Sequence, residues 1–216
     1  MPRFKDDMPE GVIPATLLAF DDDFAIDEEA TRDHVRDVAG VAGISAIAIN
    51  AHASEIHACS FDEQRRVLDL TMDEIGDRLP VINGVYADGS FEAARIARMA
   101  EDGGASCLLV LPPHSIFMMG GQMRPEMALA HFSTIAAATD LPIIVFQYPA
   151  SYAYPMDTLL RMIEAVPTIR AIKDWISRGK CRLISAQRRG TRCWSARSGI
   201  RRSMFVRWPP YWIGPV

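Results

Sequence analysis

Lysine is almost missing from this sequence: 216 residues contain only Lys5, Lys173 and Lys180. Several larger features are missing too, and each absence narrows the possibilities. No run of about 18 apolar residues occurs, so no segment is expected to cross a bilayer as a helix. The opening MPRFKDDMPE lacks the apolar core of a secretory leader, and the expectation is a cytoplasmic protein. Cys59, Cys107, Cys181 and Cys193 form no CxxC pair or other metal-ligand spacing, which argues against a zinc site or a disulfide framework. Acidic residues are absent from 178 to 216, a stretch with ten basic residues and three of the four tryptophans. All 27 acids and 13 of the basic residues precede it. The two parts do not share one composition.

With 49% hydrophobic and 23% charged residues, the chain can bury a sizeable core. From 11 to 173, short apolar runs alternate with longer amphipathic ones. Strands are expected at Val12 to Leu18, Ile44 to Ile49, Pro80 to Gly84, Ser106 to Leu111, Pro142 to Phe146 and Ile169 to Lys173. These runs are rich in Val, Ile, Leu and Ala, as strands buried on both faces must be. Helices are expected near 28–40, 61–76, 90–103, 125–139 and 156–165. Ser60 with Glu63 forms a capping box, Ser90 precedes a run of helix formers, and Asp140 and Pro142 mark a stop.

Regular alternation of strand and helix implies right-handed crossovers and a parallel sheet. A dinucleotide-binding sheet would carry GxGxxG in its first strand-to-helix turn. That turn here reads LLAFDDDFAID, without glycine, so the (β/α)8 barrel is favoured. Barrel chemistry sits at the C-terminal strand ends. Those ends carry Asn50, His52, Ser54 and Glu55, then Pro112, Pro113 and His114, then Gln147 and Tyr148, and finally Lys173. A lysine at the tip of an apolar strand is disfavoured as a cation, which makes it a better nucleophile toward a ketone carbon. The plainer reading is a snorkelling lysine or a pair with Asp174.

GVIPATLLAFDDDFAID, INAHASEI with SFDEQRRVLD, LPVINGVY, GASCLLVLPPHS, LPIIVFQYP and IRAIKDW, in this order, resemble the dihydrodipicolinate synthase and N-acetylneuraminate lyase family over about 11 to 175. The resemblance implies a (β/α)8 barrel whose lysine forms a Schiff base with pyruvate or another 2-oxo acid, and it places that lysine at Lys173. It implies no metal and no dissociable cofactor. It implies a small-molecule 2-oxo acid as partner, and a homo-oligomer that an incomplete barrel would make doubtful here. No membrane or specific nucleic-acid partner is expected, although the ten basic residues of the tail would attract phosphates.

Two departures from the family pattern stand out. After the second expected strand the family has two glycines, two threonines, glycine and glutamate, the threonines and backbone amides holding the substrate carboxylate. This chain reads Asn50, Ala51, His52, Ala53, Ser54, Glu55. His52, Ala53 and Ser54 become the substrate-binding candidates, with backbone amides and a histidine cation in place of hydroxyls, and Glu55 is expected to buttress the loop. On the fifth expected strand the family's tyrosine, a proton relay, is replaced by Phe146. Tyr148 is the candidate replacement two residues on, with a wall of the pocket as its plainer role, and Tyr152 and Tyr154 are weaker candidates. The alternative to an enzyme is a barrel remnant with no competent site.

Six strands and five helices up to Lys173 fall short of eight of each. Residues 1–177 are therefore expected to be a partial barrel, inactive by itself. Residues 178–216 are expected to be a basic tail outside the fold, disordered or read from the wrong frame.

Overall fold

The structure is a computed structural model that describes residue 4 and residues 8–114, 124–148, 152–174 and 192–195. Among the described residues five helices alternate with strands up to β5, and a sixth strand follows: α1 (Glu28–Ala39), β1 (Ile47–Ile49), α2 (Phe61–Ile75), β2 (Val81–Val85), α3 (Ser90–Asp102), β3 (Cys107–Val110), α4 (Pro125–Ala136), β4 (Ile143–Gln147), α5 (Met156–Ala165), β5 (Ile169–Asp174) and β6 (Arg192–Ser195). All strands are parallel, and their spatial order is their chain order. A parallel sheet wound this way, with one helix in each described crossover from β1 to β5, is an arc of a (β/α)8 barrel. The fold is an incomplete TIM barrel.

The five helices start where the sequence signals place them or within a residue. Ser60 caps α2: its hydroxyl accepts from the Glu63 amide at 3.2 Å, while the Glu63 carboxylate accepts from the Ser60 amide at 2.7 Å. That reciprocal pair satisfies two of the donors a helix start leaves free. Ser90 behaves differently from expectation. It is the first residue of α3, with Gly89 as the cap, and its hydroxyl lies 3.0 Å from His131 Nδ1 on α4.

The first expected strand also needs correction. Residues 12–18 do not form a ladder; they touch the sheet through two isolated parallel bridges, Val12 to Ile44 and Ala15 to Ala48. Proline is the physical reason. Pro14 accepts from the Ala48 amide at 2.9 Å but has no N–H to donate, so regular pairing cannot run through it.

Four residues of the expected basic tail are described. Arg192–Ser195 pairs with β5 over Ala171, Ile172, Lys173 and Asp174. The β5 edge offers unpaired N–H and C=O groups, and a further parallel strand satisfies them. The rest of the tail, and with it the reading of that stretch as out of frame, lies outside the described residues.

Alternate residues of each strand face two different cores. The outer core joins sheet to helices: Ile47, Ile49, Val81, Leu108, Val110, Ile143, Val145, Ile169 and Ile172 meet Val35, Leu68, Ile96, Phe132, Leu159 and Met162. The inner core contains no helix residue. It consists of Ala46, Ala48, Ala51, Ile56, Ile82, Cys107, Leu109, Leu111, Ile144, Phe146 and Ala171. Among the described residues no helix is long and apolar enough to cross a membrane.

Candidate active site

Lys173 is the fifth residue of β5 and shares the inner face with Ala171, two residues before it. Register places it beside Phe146 of β4, and its Nζ lies 5.4 Å from the centre of that ring. Burial lowers the pKa of its ammonium below the ordinary lysine value. The amine therefore sits at the C-terminal rim, against an aromatic face, with its neutral form favoured relative to a lysine in water.

The loop after β1 is set by a glycine. Gly84 on β2 faces the Asn50 carbonyl so closely that a Cβ there would fall 1.5 Å from the oxygen. Asn50 itself is left-handed, with φ of 48°, a conformation asparagine tolerates better than most residues. Its amide nitrogen donates to the Gln64 carbonyl at 2.8 Å and to Asn83 Oδ1 at 2.9 Å. With the chain reversed and anchored there, the next three residues, His52–Ser54, form a single 3₁₀ turn over the inner core.

That turn carries His52 against Phe146. The His52 ring meets the Phe146 ring edge-on at 5.3 Å between centroids, and its Nε2 lies 2.7 Å from the Tyr148 hydroxyl. Its other nitrogen, Nδ1, lies 3.0 Å from His57 Nε2. His57 in turn stacks on His114 at 4.8 Å and meets Tyr86 edge-on at 4.1 Å. Six rings thus form a continuous wall beside Lys173. Burial lowers the His52 pKa to about 4, with the positive fields of His57, Lys173 and His114 adding to it. His57 is lowered too, by desolvation and by His114, against an opposing pull from Asp88. Burial raises the Tyr148 phenol, with Tyr86 adding a smaller push. In all three groups the neutral form is favoured.

A desolvated lysine on a barrel strand, packed on a ring that also touches a histidine and a phenol, accompanies a match of residues 8–193 to the dihydrodipicolinate synthetase family. The chain belongs to that family. It is 34% identical over 168 residues to 4-hydroxy-tetrahydrodipicolinate synthase of Salinibacter ruber, covering 76% of this chain and 53% of the relative. The same enzyme of Methanopyrus kandleri is 32% identical over 170 residues, with 76% and 54% covered. Among solved structures, CdNal from Clostridium difficile in complex with mannosamine superposes with a TM-score of 0.79 at 20% identity, over 88% of this chain and 64% of that one. A prophage protein of the dihydrodipicolinic acid synthase family from E. coli, in complex with pyruvate, gives 0.77 at 18%, over 86% and 63%. The chain spans about half the length of these two curated relatives.

The candidates taken from the family pattern fall in different places. Lys173, Tyr148 and His52 are brought together. Ala53 is half-buried in the same turn and brings no polar side-chain atom. Ser54 is buried, and its hydroxyl donates to the Thr16 carbonyl at 2.8 Å, so its proton is committed to holding the loop on residues 12–18. Glu55 does not buttress the loop with its carboxylate, which is exposed and makes no hydrogen bond or ion pair among the described residues. Its contribution is backbone: it is left-handed, with φ of 52°, and its amide closes the turn onto His52 O at 3.2 Å. The histidine cation expected at the loop is disfavoured, because burial holds His52 neutral. Tyr154 is buried in the outer core against Phe132, and Tyr152 is half exposed.

His57 and Tyr86 escaped the sequence reading. His57 lies five residues beyond His52, off any strand end, and Tyr86 looks like the close of an apolar strand. Two histidines so close together, with a third at a neighbouring strand end, were the available signal.

Proposed function

We propose that this chain carries the Schiff-base half of a cytoplasmic lyase or aldolase site that acts on a 2-oxo acid such as pyruvate. The observation that carries the reading is the lysine with a lowered pKa on the inner face of β5, one strand from a phenol held by His52. The neutral Lys173 amine attacks the keto carbon, and loss of water from the carbinolamine leaves an iminium. The iminium draws electrons from the neighbouring C–H bond, so C3 loses a proton and becomes an enamine carbon. That carbon attacks an aldehyde, or in reverse is released from one. The iminium is itself the electron sink, and the route calls for no metal and no cofactor. Tyr148 is the group in position to carry protons that the phenylalanine at 146 cannot. The Ala53 amide and the rim of the 3₁₀ turn face the substrate carboxylate, with His52 contributing its ring and no charge.

A second reading, a barrel with no competent site, is favoured by Phe146 in place of the relay tyrosine and by a Ser54 hydroxyl already engaged. One experiment separates the two. Borohydride reduction in the presence of pyruvate, 2-oxobutanoate or 2-oxoglutarate should add the mass of the reduced adduct to the peptide containing Lys173. Lys173→Ala should abolish the adduct. Trapping on Lys5 or Lys180, or no trapping with any of the three acids, would overturn the lyase reading and leave the remnant. Where trapping occurs, Tyr148→Phe should slow turnover by roughly the 10² to 10⁴ of a general acid–base group.

A further inference from the structure

The wall beside Lys173 contains two hydrogen-bond contacts in series, and the proposed chemistry so far uses neither beyond its first member. Tyr148 O to His52 Nε2 is 2.7 Å, and His52 Nδ1 to His57 Nε2 is 3.0 Å. The first histidine is half-buried; the second is exposed. The contacts therefore run from a phenol at the candidate site, through both nitrogens of one imidazole, to a ring open to solvent. We infer that His52 and His57 form a proton relay connecting Tyr148 to solvent, with His57 as its outer terminus. This rests on the assignment of Lys173 and Tyr148 proposed above.

An imidazole passes a proton by accepting on one nitrogen while releasing from the other. In one tautomeric arrangement the Tyr148 hydroxyl donates to His52 Nε2, His52 Nδ1–H donates to His57 Nε2, and His57 Nδ1–H faces water. When the substrate carbon gives a proton to the Tyr148 oxygen, the phenolic proton moves to His52 Nε2. The His52 Nδ1 proton then moves to His57 Nε2, and the His57 Nδ1 proton leaves to solvent. One proton enters, one leaves, and each ring ends neutral with its tautomer exchanged. The reverse sequence delivers a proton to the substrate. No imidazolium accumulates, which suits the surroundings. A cation on His52 would face Lys173, His57 and His114 in a desolvated position, with Asp88 the acid that acts on His57.

Position in the fold supports a relay over ring packing alone. Phe146 contacts both the Lys173 amine and the His52 ring but has no polar atom to pass a proton. Tyr148 lies inside the rim, with its ring 5.0 Å from Phe146, and its hydroxyl is turned onto His52. A proton taken by Tyr148 thus has a hydrogen-bonded exit through two rings.

The test uses exchange of the methyl protons of pyruvate in D₂O, followed by proton NMR, which reads enamine formation on Lys173 directly. His57→Phe keeps an aromatic ring against Tyr86 and His114 while removing both nitrogens. It should slow exchange by roughly 10²-fold, the lower end for a proton-transfer group. The fraction of Lys173 trapped by borohydride at equilibrium should stay the same, and added imidazole should restore much of the rate. Tyr148→Phe combined with His57→Phe should be no slower than Tyr148→Phe alone, because both remove one path. His57→Gln provides a second, smaller replacement with the same expectation should the phenylalanine disturb the stack. Exchange at the unsubstituted rate in both His57 variants, with trapping intact, would overturn the relay and leave the Lys173 assignment standing. Losses that multiply in the double variant would also overturn it. Absence of trapping in the unsubstituted protein would remove the Lys173 assignment and the relay together.

Discussion

The two faces of one sheet follow different rules. The outer face is a close-packed aliphatic layer in which large side chains of strands and helices interlock, with Phe132, Leu68, Ile135 and Ile143 wholly buried. The inner face mixes small residues, Ala46, Ala48 and Ala171, with Ile82, Leu109 and Ile144, and carries rings and a lysine at its rim. The same alternation of side chains produces both, since a strand presents successive residues to opposite sides. Apolar packing on one side fixes the backbone, and the fixed backbone lets the other side hold groups that packing alone would not choose. A desolvated amine and two histidines held neutral cost stability where they stand. The outer core offsets them. Substitutions on the two faces should therefore separate: outer changes lower stability and leave the chemistry of each folded molecule alone, whereas inner changes do the reverse.

The largest effect on stability is expected from Phe132→Ala. Phe132 is wholly buried in the outer core, in edge contact with Tyr154 at 6.3 Å between centroids. Removing it should cost about 3–5 kcal/mol, lost apolar burial plus the cavity left behind. Urea unfolding checks the cost, and borohydride trapping checks the separation. The trapped fraction per folded molecule should not change. A variant that keeps its stability, or one that stays folded but no longer traps, would break the division between the faces.

Gly84→Ala tests the point where the two faces meet. The added methyl would fall 1.5 Å from the Asn50 carbonyl oxygen, a separation no packing adjustment of side chains can absorb, because the obstacle is backbone. The loop after β1 must move. Overpacking of this kind costs about 1–3 kcal/mol, less than the loss of Phe132. It should also carry His52 away from Tyr148, so pyruvate exchange should slow although no polar group has been removed. Unfolding and exchange measured on one sample test this. An alanine variant with ordinary stability and exchange would mean that Asn50 does not position the loop.

The helices and the parallel order of the strands were legible in the sequence because both depend on local signals: apolar periodicity, the Ser60 and Glu63 capping box, and the absence of glycine in the first turn. Lys173 was legible for the same reason, a lone cation ending an apolar run, and the family pattern strengthened it. The first strand was overread, because a run of apolar residues says nothing of the missing N–H at Pro14. Glu55 and Ser54 were placed by family position, and a side chain's direction after a tight turn is not written in its position. The His52 to His57 contact was hidden more deeply. It depends on a left-handed Asn50 that a glycine on the neighbouring strand permits, a long-range condition that no window of sequence contains.

Acid titration gives the smallest and most discriminating comparison, because each face holds one histidine whose cation is disfavoured, His52 half-buried and His131 buried. His52 lies on the inner side and His131 on the outer, the latter near Ser90 between α3 and α4. Burial lowers both to about 4 from an ordinary value near 6.5, with Asp88 opposing the shift at His131. The sign follows from proton linkage. Between about 6.5 and about 4 the unfolded chain binds protons at these positions that the folded chain refuses, so stability falls as pH drops through that interval. Above it both states are neutral at these sites, and below it both are protonated, so the contribution to the slope vanishes at either end. His131→Gln and His52→Gln each keep an acceptor for the neighbouring hydroxyl while removing the titration. Each should flatten the loss of stability between pH 6.5 and 4, seen as unfolding midpoints that change less with pH than those of the unsubstituted protein. Only His52→Gln should also slow pyruvate exchange, since it breaks the contact to Tyr148 and His57 at its centre. If both variants slow exchange equally, the inner face has no special claim on the chemistry. If neither flattens the slope, the two imidazoles are not held neutral by burial, and the low dielectric ascribed to each side of the sheet is wrong.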